Sequence, residues 1–221
     1  MPDALPDEAI APVNCALCQV LYGIEQAHMR SGDVVAIQGA GGLGIYAAAV
    51  AAERGASRVI SIDGQRPRLD LARRCGATDV IDLNEYPTPE ARVARVKELT
   101  DGRGADVVVE VVGIAAATVE GLDMVRLGGK FVDIGNIVPQ PVSFPAIKVI
   151  QQQIKWTGLM HYNPWIMPAA LEFLVRTRDK YPLSKVVSHS FPLADVNKAF
   201  AFAEWQGKNA GTAATRVILK P

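Results

Sequence analysis

Apolar residues along this chain follow two periods. Compact runs rich in valine and isoleucine, VVAIQ at 34–38, RVISID at 58–63, DVIDL at 79–83 and DVVVEVV at 106–112, read as strands. Between them, apolar positions recur at intervals of three or four, as one face of a helix requires. Val13, Leu17, Val20, Leu21 and Ile24 mark a first helix over Val13–Met29, and alanine-rich Gly42–Arg54 forms a second. Pro67–Cys75, a segment opening at Thr88 and running to Leu99, Ala115–Val125, Pro145–Gln153 and Trp165–Thr177 supply further helices. Thr88-Pro89-Glu90 offers an N-cap, a proline at the first helical position and an early acid. Gly55 and Gly76 are placed to cap the helices they follow. Two more strands, Lys130–Ile134 and Ile154–Leu159, bring the count to six.

Strands alternating with helices through right-handed crossovers predict an α/β fold, a doubly wound six-stranded parallel sheet. The valine-rich run at 106–112 suits a parallel strand buried on both faces. After Thr177 the rhythm changes. Strand Val186–Phe191, helix Leu193–Trp205 and strand Thr215–Lys220 make a C-terminal strand–helix–strand tail, with polar 207–212 between the last two. Met1–Pro12, with prolines at 2, 6 and 12, is expected to be an extended lead-in. The chain thus divides into 1–30 as lead-in and first helix, 31–180 as the sheet domain, and 181–221 as the tail.

Composition adds bounds. With 49% hydrophobic and 21% charged residues, the 221-residue chain has material for a substantial core. A net charge of zero, with Lys and Arg spread among acids, favours neither nucleic acid nor an anionic membrane surface. No apolar run reaches the ~18–20 residues of a bilayer span. The acidic, proline-broken start is unlike a signal peptide, and three cysteines do not make a disulfide framework. A cytoplasmic setting is expected.

The candidate chemistry starts where the first strand ends. Gly39, Gly41 and Gly44 fall in the pattern G-x-G-x-x-G between that strand and a helix. The first allows a sharp turn, the second lets a pyrophosphate approach the backbone, and the third lets helix and strand lie close. With Gly42 and Leu43 at the helix start, free N–H groups and the helix dipole face a bound anion. Asp63 closes the second strand, where a dinucleotide site places the carboxylate that accepts from the adenosine ribose. The same carboxylate at ~4 Å would repel a 2′-phosphate by ~4 kcal/mol at an effective dielectric of 20, so NAD is preferred over NADP. Arg66 and Arg68 follow closely, and Arg68 is counted with the cofactor contacts. Val111 and Val112 after the fourth strand, with Ile134 and Gly135 after the fifth, sit at the carboxyl ends where such sheets bind ligands.

Cys15-Ala16, Gly39-Ala40-Gly41-Gly42-Leu43-Gly44, Asp63, Cys75-Gly76-Ala77-Thr78 and Gly128-Gly129-Lys130 together resemble the medium-chain dehydrogenase/reductases, in their zinc-dependent alcohol dehydrogenase branch. The resemblance covers the later part of that family, without its N-terminal catalytic domain. It implies a Rossmann domain, NAD as cofactor, an alcohol or carbonyl as substrate, and hydride transfer between the two. It makes Cys15 a match to one zinc ligand; zinc is expected only if the other ligands are supplied. It places Val111, Val112, Ile134 and Gly135 as backbone contacts to the nicotinamide half. Arg216 resembles an arginine directed at the phosphates, a strand arginine in a salt bridge being the equal alternative. Gln19 stands where the family commonly has threonine, so no hydroxyl relay is expected there.

The resemblance also implies a homodimer through the Ile154–Leu159 strand. It implies that the tail and the first helix bury apolar residues against the absent domain. Val186, Val187, Phe191 and Ile218 are then expected on exposed patches, with self-association or partial disorder of the tail. Cys18, at C-x-x-C spacing from Cys15, and Cys75 read as helical and buried cysteines. His28 and His189 fall in no ligand cluster, and His161-Tyr162, after the sixth strand, is expected on a surface loop rather than in a cleft. Two alternatives stand beside the alcohol dehydrogenase: a free-standing NAD-binding module without catalysis, and a zinc-independent reductase of the same superfamily.

Overall fold

The computed structural model describes residues 4–137, 141–206 and 215–221; the polar segment 207–212 lies outside the described residues. Six strands form one parallel sheet: β1 (Val34–Gln38), β2 (Arg58–Asp63), β3 (Asp79–Asp82), β4 (Ala105–Glu110), β5 (Val125–Asp133) and β6 (Lys155–Gly158). Their order is β3-β2-β1-β4-β5-β6, so the chain reverses its winding between β1 and β4. β1 and β4 are buried along their whole length, as central parallel strands covered on both faces must be. One row of the sheet runs Ile62, Gln38, Glu110, Asp133, Gly158 across the carboxyl ends of five strands.

Helices cover both faces. α2 (Cys18–Gln26), α3 (Gly42–Glu53), α4 (Arg66–Arg74) and α8 (Ile166–Thr177) share one core with β1; Tyr46, Leu17, Ile24 and Ile45 are fully enclosed there. α5 (Pro89–Glu98), α6 (Ala115–Met124) and α7 (Ile147–Gln152) cover the other face around Phe131, Leu122 and Met124. The alanines of α3 have a purpose in this packing. All seven residues from Ile45 to Ala51 are buried, and the four alanines among them let the helix lie close between sheet and neighbours. Thr88 caps α5 as its sequence suggests, its hydroxyl accepting from Ala91 N–H at 3.2 Å.

Several elements differ from the sequence reading. The lead-in is not wholly extended: after Pro6, residues Asp7–Ile10 form a short helix, α1, with acids in its first turn. The first helix begins as a wider turn over Val13–Leu17, where Cys18 N–H bonds the Val13 carbonyl, and ends at Gln26. Its apolar face is not open: Val13, Leu17, Val20 and Ile24 are buried within the chain's own core. β5 starts at Val125, because the Gly128-Gly129 pair sits inside the strand rather than before it. A bulge between Ala105 and Val107 absorbs the change in register. β4 stops at Glu110, leaving Val111 and Val112 in the loop beyond.

The tail pairs β7 (Val187–Pro192) with β8 (Arg216–Lys220) as a parallel two-stranded sheet, with α9 (Val196–Gln206) between them in sequence. Val186 is buried in the main core, contrary to the expected exposed patch. Val187, Phe191 and Ile218 are half-buried, since Phe191 and His189 stack on Phe202 of α9 at 5.5 and 4.5 Å. Among the described residues of this region, the large apolar side chains left exposed are Leu193, Phe200 and Leu219. Among the described residues no helix is long and apolar enough to cross a membrane.

Candidate functional site

The reversal between β1 and β4 opens a crevice at the carboxyl ends of the strands, and the glycine turn enters it. Gly39 adopts φ +94°, a left-handed turn, and its N–H donates to Ile62 O at 2.8 Å. A Cβ on Gly44 would lie 1.8 Å from Gly39 O, so only glycine allows α3 to start this close to β1. At Gly41 a Cβ would meet nothing within 4 Å: the space above the turn is open. The three glycines thus differ in geometry: Gly39 turns the chain, Gly44 packs against it and Gly41 faces open space. α3 runs for twelve residues and aims its N-terminus into that space.

Asp63, at the end of β2, holds the turn in place. Its Oδ2 accepts from Ala40 N–H at 2.8 Å and its Oδ1 from Gln65 N–H at 2.8 Å. Arg68 Nη1 lies 3.9 Å from Oδ2, within ion-pair range. Arg66 points away, to Asp70 at 3.3 Å and Glu85 at 3.7 Å. Each Asp63 oxygen keeps a lone pair for a hydroxyl donor.

Arg216 reaches the same point from β8. A Cβ on Gly42 would fall 2.8 Å from its Cγ and Nε, so its side chain lies across the first turn of α3. No ion pair among the described residues takes up its guanidinium. A helix N-terminus and an arginine thus converge on one open space, the chemistry of a phosphate site.

From there a cleft of about 890 Å³ extends along Leu43, Val111, Val112, Ile134 and Gly135, with Cys15, Gln19, His161 and Tyr162 on the facing wall. The turn and the loops are in direct contact: Gly39 lies against Val111 and Val112, and Gly113 against Gly135. Of the cofactor residues expected from the sequence, Leu43, Val111, Val112, Ile134, Gly135 and Arg216 line this cleft, and Gly39 adjoins it through Val111 and Val112; Gly41, Gly42, Gly44, Asp63 and Arg68 are not part of its lining. His161 and Tyr162 sit on the loop after β6, with His161 exposed, and that loop also lines the cleft. Tyr162 OH is hydrogen-bonded to Asn14, a partner 148 positions away that spacing does not reveal. Gln19 donates its amide to Leu159 O at 3.2 Å and Met160 O at 3.1 Å, tying down the segment after β6.

The cysteines separate by environment. Cys15 is exposed on the cleft wall; Cys18 is buried with its thiol 3.6 Å from Met167 Sδ, and burial pushes that thiol's pKa up. Burial also pushes Cys75 up to about 12. Both buried thiols are inert. Among the described residues no group of three or more His, Cys, Asp or Glu is placed to hold a metal ion. Cys15 therefore does not fit a tetrahedral zinc site from this chain's described residues alone.

The sequence profile of the zinc-binding dehydrogenases matches residues 42–176. The chain is 36% identical over 203 residues to 5-exo-hydroxycamphor dehydrogenase of Pseudomonas putida, covering 90% of this chain and 55% of that protein. It is 29% identical over 201 residues to sorbitol dehydrogenase of Halalkalibacterium halodurans, covering 90% and 57%. The crystal structure of an alcohol dehydrogenase from Thermotoga maritima superposes with a TM-score of 0.88 at 29% identity, over all of this chain and 59% of that one. The chain thus spans just over half the length of the curated relatives it matches.

Proposed function

Because the chain belongs to the zinc-binding dehydrogenase family, we propose that it is the NAD-binding portion of an alcohol dehydrogenase, with the cofactor laid along the groove from Asp63 to Gly135. The carrying observation is the convergence of the open Gly41 turn, the α3 N-terminus and Arg216 at one point, with Asp63 beside it. In this reading Asp63 accepts from the adenosine ribose, and Gly41, Gly42, Leu43 and Arg216 hold the pyrophosphate. Gly39 and Gly44 shape the turn, and Val111, Val112, Ile134 and Gly135 face the nicotinamide. Arg68 moderates the charge on Asp63. Bound there, NAD supplies the hydride acceptor for an alcohol, or NADH the donor for a carbonyl.

We draw no step through zinc, since Cys15 stands without companion ligands among the described residues. That same observation supports a second reading, in which this chain alone holds NAD without turnover. Residues 1–30, 31–180 and 181–221 are proposed as lead-in, cofactor domain and tail. Exposed Leu193, Phe200 and Leu219 suit a tail that packs on another domain. A homodimer through β6 fits that strand's place at the sheet edge, with exposed Ile147 and Ile150 beside it.

Thermal melting with each cofactor tests the assignment. Full repulsion at Asp63 would be ~4 kcal/mol; with Arg68 nearby, NAD is expected to bind about 10–100-fold tighter than NADP. A larger melting shift with NADP would overturn it. Arg216→Ala should weaken NADH by about 10–100-fold, the worth of a charge-assisted hydrogen bond. It should also reduce the salt dependence of binding while leaving the melting temperature of the free chain almost unchanged. Equal affinities for wild type and Arg216→Ala would remove Arg216 from the site.

A further inference from the structure

Glu110 is a carboxyl group enclosed in the middle of the sheet, and no duty of the proposed NAD site accounts for it. It is fully buried, with Asp133 beside it in register on β5 and neutral Gln38 beside it on β1. Its Oε1 accepts from Val112 N–H at 2.5 Å and Gly113 N–H at 2.8 Å. Its main-chain carbonyl accepts from Ile134 N–H and Gly135 N–H, both at 3.0 Å. One residue therefore pins both loops that wall the inner cleft. Asp133 continues the pattern: its carbonyl takes Leu159 N–H at 2.9 Å.

The remaining oxygens carry the argument. Glu110 Oε2 and Asp133 Oδ1 are buried, and neither has a hydrogen-bond partner among the described residues. Gly135 closes over the first so tightly that a Cβ there would lie 2.7 Å from Oε2. Two adjacent anions in a dry site repel strongly, whereas one proton between them satisfies both oxygens. Among the described residues no cation pairs with either carboxyl. On α6, packed against β4, Glu120 is engaged with Arg92, and Asp123 with Lys148 at 2.6 Å. Lys130, further back along β5, pairs with Asp33 at 3.7 Å.

We propose that Glu110 and Asp133 share a single proton, Glu110 as the acid and Asp133 as its acceptor, and that this pair positions the loops walling the inner cleft. Burial raises both groups, Glu110 to about 7, against the pull of its two backbone donors. The direction of the pH effect follows. Glu110 holds its proton in the folded chain well above its ordinary value of 4.5, so its stabilising contribution is complete below 4.5 and is lost as pH rises through about 7. Above that, two buried anions face each other and the loops 111–113 and 134–136 loosen.

The test has two arms, and only the second rests on the NAD reading. Infrared spectra of the cofactor-free chain should show a protonated carboxyl at pH 6 that disappears near pH 7 and is absent from Glu110→Gln. NADH affinity should fall by about tenfold between pH 6 and 8.5, roughly one pKa unit's worth of coupling. In Glu110→Gln it should stay flat, because the amide keeps the loop acceptor and donates to Asp133. That variant retains His161, so a flat profile excludes the cleft histidine as the source. Should it fail to fold, Asp133→Asn serves: its amide donates to Glu110, so the midpoint should move down by at least about one unit. No protonated carboxyl at pH 6, or parallel profiles in wild type and variant, would overturn the pair. A titrating carboxyl with no NADH binding at any pH would uphold the pair and reject the NAD site.

Discussion

Gly44→Ala is expected to lower the melting temperature by about 6–12 °C, while Gly41→Ala in the same turn should lower it by no more than about 2–4 °C. At Gly44 the new methyl would sit 1.8 Å from Gly39 O, a backbone atom that cannot swing aside. Helix α3 must move off β1 or the turn must open, at a cost of about 3 kcal/mol. At Gly41 the methyl meets nothing within 4 Å, and the backbone is extended at φ −71°, which alanine accepts. The residual cost is that of a poorer helix N-cap, about 1 kcal/mol at most. Binding should rank the other way. The Gly41 methyl projects into the space assigned to the pyrophosphate, so NADH affinity should fall at least about tenfold in a chain that folds normally. Melting curves and NADH titrations on both variants decide it. Equal stability losses would mean that the two glycines do not divide shape from access.

That division is legible in the sequence. Parallel strands buried on both faces leave unbroken apolar runs, so β1, β2 and β4 stand out in the sequence, and the turn residues between them carry their own chemistry. Asp63 was legible because its distance from the turn is set by one helix and one strand. What stayed hidden is whatever depends on lateral neighbours. Glu110 reads as one acid in a valine run, and only the register of β4 against β5 sets Asp133 beside it. Gly128-Gly129 resembles a turn, yet it lies inside β5, where a bulge takes up the slack. Asp7–Ile10 was masked by the prolines around it, although Pro6 immediately precedes a helix without entering it. Tyr162 enters the cleft wall through Asn14, a contact between distant segments that no local pattern encodes.

The same limit conceals the ion pair on the opposite face of the sheet, which yields the largest expected loss of stability. Arg92 of α5 meets Glu120 of α6 through Nε–Oε1 at 2.8 Å and Nη2–Oε2 at 2.7 Å, and its Nη1 donates to Tyr86 O at 2.9 Å. Both residues are at most 8% exposed, so the pair is largely withdrawn from water, and three guanidinium nitrogens have acceptors. Glu120→Ala removes the counter-charge and leaves a guanidinium in the interior, which should cost about 3–5 kcal/mol. For a chain of this size that is a fall of about 6–20 °C in melting temperature. Arg92→Met combined with Glu120→Leu should recover most of the loss, since desolvating a buried pair offsets much of its attraction. NADH affinity of the folded fraction should stay within about twofold in both, because the helices α5 and α6 pack away from the groove; additivity between distant sites leads to that expectation. A single-variant loss below about 1 kcal/mol, typical of solvated pairs, would show that water reaches Arg92. Recovery in the double variant, together with unchanged binding, would establish the pair as a clamp between two helices with no part in holding the cofactor.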